Sequence, residues 1–220
     1  MSTIAIIGAG DGLGFAAARR FGREGLAVAL ISRNPHNLDR IAGRLVGEGI
    51  TARGFVADVR DAKSLTAALD SAAEQLGPIE VLQYSPVPAK EFMRPVLETN
   101  AEDLAGPVQF SVCGPVTAVT HVLPGMRTLG RGTILFVNGS SAVRPGASVA
   151  GTSIAFAAES AYAQLLHDAL APEGLHVGQL IIPRGIGAGE PSHEPDALAQ
   201  SLWEIHTARK EFRVFAAPLD

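Results

Sequence analysis

The first two dozen residues set a short apolar run, TIAIIG at 3–8, against the glycine-rich turn GAGDGLG at 8–14. A stretch with apolar residues at helical spacing follows, over 12–23. A β-branched run ending in glycine reads as a buried strand. A strand that passes into a helix through so tight a turn begins a βαβ unit. A chain built from such units folds into a parallel sheet covered by helices on both faces.

The rest of the chain repeats the pattern. Strands are expected over 26–32, 51–57, 79–85, 133–138, 176–182 and 211–217. Helices are expected over 38–46 and 62–76, in a long region clearest at 108–126, from near Thr152 to before Pro172, and over 195–209. Residues 86–98 form a proline-rich connection, and 184–194 a loop too short for a full substrate lid. Nothing in the composition breaks the chain, so one domain over 1–220 is expected.

Composition sets the outer bounds. Of 220 residues, 47% are hydrophobic and 18% charged, which suits one domain with a sizeable core and excludes a disordered chain. A net charge of -4 argues against a broad nucleic-acid surface. The apolar run around 149–158 stops at Glu159, short of a membrane span. The N-terminus lacks the basic segment of a secretory signal. The one cysteine, Cys113, has no internal partner and fits a reducing compartment. A cytoplasmic protein with no nucleic-acid or membrane partner is expected. No histidine, cysteine or carboxylate spacing suggests a metal site.

Glycines between a strand and a helix let backbone N–H groups approach a diphosphate, and the helix start adds a positive dipole end. Gly8, Gly10, Asp11, Gly12, Leu13 and Gly14 are therefore candidate cofactor-binding residues. Past the second strand comes Ser32-Arg33-Asn34, where an acidic residue would otherwise grip a ribose 2′-hydroxyl. Arg33 suits a 2′-phosphate instead, which favours NADP(H) over NAD(H). Asp58 and Val59 close the third strand. They flank an adenine, or Asp58 only caps the next turn.

These motifs, with VNGSS at 137–141 and LAPEGLHVGQLIIP at 170–183, resemble the short-chain dehydrogenase/reductase family over nearly the whole length. The glycines match that family's GxxxGxG at Gly8, Gly12 and Gly14. The resemblance implies a single Rossmann-like, doubly wound α/β domain with about seven parallel strands and helices on both faces. It implies a nicotinamide cofactor across the strands' carboxyl ends and assembly into homodimers or homotetramers. It places Ser85 in the turn after the fourth strand, and Pro183 and Ile186 near the nicotinamide, with Arg184 as an extra residue between them.

The family's chemistry uses a serine, a tyrosine and, four residues on, a lysine. That spacing is about 40° of helical rotation, so the two share a face. Here the positions carry Thr152 and Phe156, and no tyrosine in the chain is followed by lysine at that interval. Ser140 or Ser141 fills the serine role or only caps its turn, and Ser111 stands at the family's asparagine. Candidates for the missing proton carrier are Tyr84, Ser140, Ser141 and Thr152. Tyr84 has the right phenol at a strand's carboxyl end, or packs with its hydroxyl on a backbone carbonyl. Tyr162 lies about 15 Å past Thr152 along the helix, turned off its face. Glu159 shares that face and either carries a proton or makes a salt bridge between subunits. Two readings stand: a divergent NADP(H)-dependent oxidoreductase acting on an unknown carbonyl or alcohol, and a noncatalytic NADP(H)-binding sensor or partner subunit.

Overall fold

The structure, a computed structural model, describes residues 1–187 and 189–219. Its centre is a seven-stranded sheet of β1 (Thr3–Ile7), β2 (Ala27–Ser32), β3 (Ala52–Val56), β4 (Ile79–Tyr84), β5 (Thr133–Gly139), β6 (His176–Ile182) and β7 (Arg213–Phe215). The spatial order is β3-β2-β1-β4-β5-β6-β7, and every pairing is parallel. The chain builds outward from β1 to β3, then returns to lay β4 on the other side of β1. The order reverses there, which opens a crevice at the carboxyl ends of β1 and β4.

Alternation along each strand splits the core into two layers. Ile4 and Ile6 point to the face covered by α1 (Leu13–Arg23), α2 (Pro35–Gly47) and, from the far end of the chain, Leu198 and Leu202. Ala5 and Ile7 point to the face carrying α3 (Ala62–Leu76) and the helices that precede and follow β5. Asn34 caps α2 by accepting from Asn37 N at 3.2 Å, and Asp61 caps α3 through Lys63 N and Ser64 N. Phe21 is fully buried and meets Trp203 edge-to-face at 5.1 Å, which docks α1 against the last helix.

The long helical region before β5 is not one helix. It divides into α4 (Ala105–Val108), a π turn at Gln109–Cys113 and α5 (Gly114–Leu129). Gly114 N bonds to Gln109 O, five residues back. The cause is Pro115, which has no N–H to give Ser111 and whose ring crowds that carbonyl. The wider turn buries the Ser111 side chain. After β5 come α6 (Ala150–Leu170) and α7 (Pro195–Ala208). Among the described residues, no helix is long and apolar enough to cross a membrane.

Candidate functional site

The crevice is a cleft of about 720 Å³ over the carboxyl ends of the central strands. Its floor begins at Gly8, whose φ of +89° favours glycine and whose missing Cβ would stand 2.4 Å from Pro86 Cα. The turn then rises through Gly10 and Gly12. A Cβ on either would meet nothing within 4 Å and would project into the cleft. Gly12 starts α1 with no side-chain cap and no acidic residue in the first turn. The first N–H groups of that helix are open to an anion. A diphosphate fits such a cradle.

Asp11, in the same turn, is exposed, but its charge is answered from α2. Arg40 bonds it directly, Arg44 stands 3.5 Å away, and the bond to Arg40 holds its carboxyl below the usual range. Gly8, Gly10, Asp11, Gly12, Leu13 and Gly14 all line the cleft, as do Ser85 and Ile186. A smaller pocket of about 240 Å³ continues past Gly8 and Gly10 and is lined by Ser32, Arg33, Ala57 and Val59. Arg33 is exposed there.

Other expected residues lie outside both cavities. Asn34 is committed to its cap, and Pro183 only leads the chain out of β6. Asp58 accepts from Arg60 N at 2.9 Å and pairs with the Arg60 guanidinium at 3.1 Å. Burial pushes its carboxyl up, but the Arg60 bonds and the charges of Arg60 and Arg33 leave it lowered overall. Of the two serines after β5, Ser141 lines the cleft. The carbonyl of Ser140 accepts from Val143 N and Arg144 N, and its side chain is not part of the wall.

Of the two readings of Tyr84, the structure bears out the packed one and corrects the catalytic one. Tyr84 is 1% exposed, packs in the core, and donates its hydroxyl to the Phe110 carbonyl in the π turn. Burial and the nearby Glu159 carboxyl push its phenol well above 10. The side chain points away from the cleft, so it is a packing residue. Gly114 makes room for it, since a Cβ there would lie 2.5 Å from the hydroxyl. Tyr162 packs edge-to-face on Phe136 at 6.2 Å, away from the cleft.

Thr152 and Phe156 do share a face of α6, and both line the cleft. Thr152 Oγ1 is buried and has no hydrogen-bond partner among the described residues. Asn138, near the end of β5, lines the same cleft. Its Oδ1 accepts from Gln179 Nε2 at 2.8 Å, while its Nδ2 has no partner within hydrogen-bond distance among the described residues. Asn138 is the residue that sequence reasoning quoted, within VNGSS, without giving it a role. The signal was a polar side chain inside a buried strand. Glu159 is 1% exposed within the single chain, so it does not reach a subunit surface to form a salt bridge. Burial pushes its carboxyl up to about 8, against the pull of Asn138 and Ser111. Arg184 lines the cleft mouth and pairs with Glu190 at 2.6 Å.

A doubly wound parallel sheet with an open helix start and a cleft at its order reversal defines a Rossmann-type α/β domain. The sequence model of the short chain dehydrogenase family matches residues 2–188. The chain belongs to that family. It is 30% identical over 200 residues to 2,3-dihydro-2,3-dihydroxybenzoate dehydrogenase of Bacillus subtilis, covering 90% of this chain and 72% of that one. It is 27% identical to human dehydrogenase/reductase SDR family member 4 over 77% of this chain, a region that spans only 61% of the human protein.

Among solved structures it superposes on a short-chain dehydrogenase from Rhodopseudomonas palustris, with TM-score 0.87, 25% identity, and 99% and 98% of the two chains covered. A short chain oxidoreductase of Pseudomonas aeruginosa PAO1, described as containing an atypical catalytic center and solved with NADPH bound, shares the fold. Its TM-score is 0.87, at 19% identity over 98% and 96% of the chains.

Proposed function

We propose that this chain binds NADP(H) across the glycine turn and acts as an oxidoreductase on a carbonyl or alcohol, without a tyrosine–lysine pair. The observation that carries the reading is the uncapped start of α1 beneath Gly10 and Gly12, with open space above both. Arg33 in the adjoining pocket is the cation for a 2′-phosphate. A relative with an atypical catalytic center that binds NADPH lends support. When bound, NADP(H) supplies or takes up the hydride.

The chain's own residues orient the substrate. Ser141 and Thr152 Oγ1, which has no hydrogen-bond partner among the described residues, hydrogen-bond a substrate oxygen. Phe156 and Ile182 give that end of the cleft apolar walls. A threonine hydroxyl does not ionise near neutral pH, and lost general-acid help costs a factor of about 10²–10⁴. Slow turnover with intact cofactor binding follows.

Calorimetry with NADPH and NADH, then incubation of the NADPH complex with aldehydes, ketones and enones, tests the proposal. NADPH binding with carbonyl-dependent oxidation is the expected result. Binding with no turnover on any carbonyl selects the noncatalytic sensor or partner subunit. No binding of either nucleotide overturns both.

A further inference from the structure

Beyond the glycine turn the cleft wall changes character, and most of its polar side chains are already committed. Asp11 is held by Arg40, and Arg184 pairs with Glu190 at 2.6 Å. Asn138 Oδ1 accepts from Gln179. Ser85 Oγ accepts from Gln83 Nε2 at 2.9 Å and faces Ile7 O at 3.3 Å. Among the described residues that line the cleft, the hydroxyls of Ser141 and Thr152 are left to address a ligand.

The rest of that wall is hydrocarbon. Val149, which caps α6, shares one face of the helix with Thr152 and Phe156. Phe156 is buried and packs on Ala142 and Ile181. Val87, Met93 and Ile186 also line the cleft, yet they are 81%, 44% and 44% exposed. Met93 is held in place through the backbone. Ala150 N donates to Arg94 O at 2.9 Å and Val96 N to Ala147 O at 2.8 Å, which ties its segment to the start of α6. Gly151 permits that approach, since a Cβ there would stand 2.8 Å from Phe92 O. Large apolar side chains left in water around a cleft are the footprint of an apolar ligand. A charged or hydroxyl-rich ligand would lose its hydration against them and find few groups to replace it.

We propose that the cleft selects carbonyl compounds with a hydrocarbon body of several carbons, such as medium-chain methyl ketones, over polyhydroxylated or anionic ones. The carbonyl oxygen accepts from Ser141 and Thr152, and the hydrocarbon body covers Val87, Met93 and Ile186. An anionic ligand would have to compete with Glu190 for Arg184. The inference rests on the oxidoreductase reading above for the fate of the carbonyl, but the selectivity lies in binding, before any hydride moves.

The test is NMR of the protein carrying 13C at its methionine methyls. The chain has 3 methionines. Met126 is fully buried and Met1 lies away from the cleft, so both serve as controls. The Met93 signal is assigned by its loss in Met93→Leu. Butanone, hexan-2-one, octan-2-one and erythrulose are titrated with and without NADPH. The alkanones are expected to shift Met93 and leave Met126 unmoved, with half-saturation falling about three- to fourfold per added methylene. Erythrulose is expected to shift nothing. Val87→Asp, a change at an exposed side chain, is expected to raise the octan-2-one half-saturation by about fivefold or more.

Half-saturation that does not change with chain length overturns the proposal. So does a Met93 signal that no alkanone moves, or that erythrulose moves at lower concentration than hexan-2-one. Unchanged octan-2-one affinity in Val87→Asp overturns it as well. Calorimetry with NADPH reads the cofactor separately. If NADPH does not bind while the alkanones keep their chain-length dependence, the cofactor reading alone fails. If NADPH binds and that dependence is absent, the selectivity proposed here alone fails.

Discussion

The Tyr84 hydroxyl donates to the Phe110 carbonyl, so the phenol at the end of β4 braces the π turn from inside the core. Tyr84→Phe removes that bond and little else. It is expected to cost about 1 kcal/mol of stability and to leave any turnover unchanged. Thermal melts and carbonyl-dependent NADPH oxidation read the two effects. Loss of turnover in a folded Tyr84→Phe protein would return the phenol to the chemistry.

Two glycines of one turn should respond in opposite ways. Gly8→Ala forces a Cβ onto the Pro86 backbone at a φ of +89°, and is expected to lose at least about 2 kcal/mol and to lower Tm. Gly10→Val projects into open space, so its Tm is expected to hold while NADPH affinity falls tenfold or more. A Gly10→Val protein that binds NADPH normally would remove the diphosphate assignment.

Arg33 separates the two cofactors. Arg33→Ala is expected to weaken NADPH by about 1.5–3 kcal/mol, as for other charge-assisted bonds, and to leave NADH nearly untouched. Paired calorimetric titrations decide it. Equal losses for both nucleotides would end the preference for the 2′-phosphate.

Stability should fall with rising pH because of Glu159. Its folded value is raised to about 8, above the ordinary carboxyl value of 4.5. Between those limits the folded state holds a proton that the unfolded state has lost, so folding weakens from about pH 4.5 to about 8 and then levels. Glu159→Gln is expected to remove that slope and to gain a few kcal/mol at pH 8, to order of magnitude. Urea unfolding at a series of pH values measures it, and parallel curves for the two proteins would contradict it.

His176 acts on the acid side with the opposite sign. Burial first, then Arg209, His167 and His206, push its imidazole down to about 4 from 6.5. The folded state then resists a proton that the unfolded state accepts. Its contribution is complete above about pH 6.5 and is lost as pH falls toward 4. His176→Gln is expected to flatten the unfolding curve in that window only.

Local signals carried most of the architecture. α3 and β6 have the bounds that the pattern gave, because Asp61 and Gly77 bracket the one and a glycine turn and Pro183 bracket the other. The seven parallel strands followed from alternation alone. Three features were not local. The π turn comes from Pro115 acting on a carbonyl four residues back, in a stretch whose periodicity reads as plain helix. The inward turn of Tyr84 depends on Gly114, thirty residues away in sequence and visible only after folding. The inference that Glu159 shares the Thr152 face was sound. Its depth came from the packing of α6 on the sheet.

The reversal of strand order at β1 also has a mechanical meaning. The two wings of the sheet, β2 with β3 and β4 through β7, join along β1, and the cleft opens over that seam. A molecule lying there touches Gly10 on one bank and Asn138 on the other. It would span the one line in the sheet where the strand order turns back.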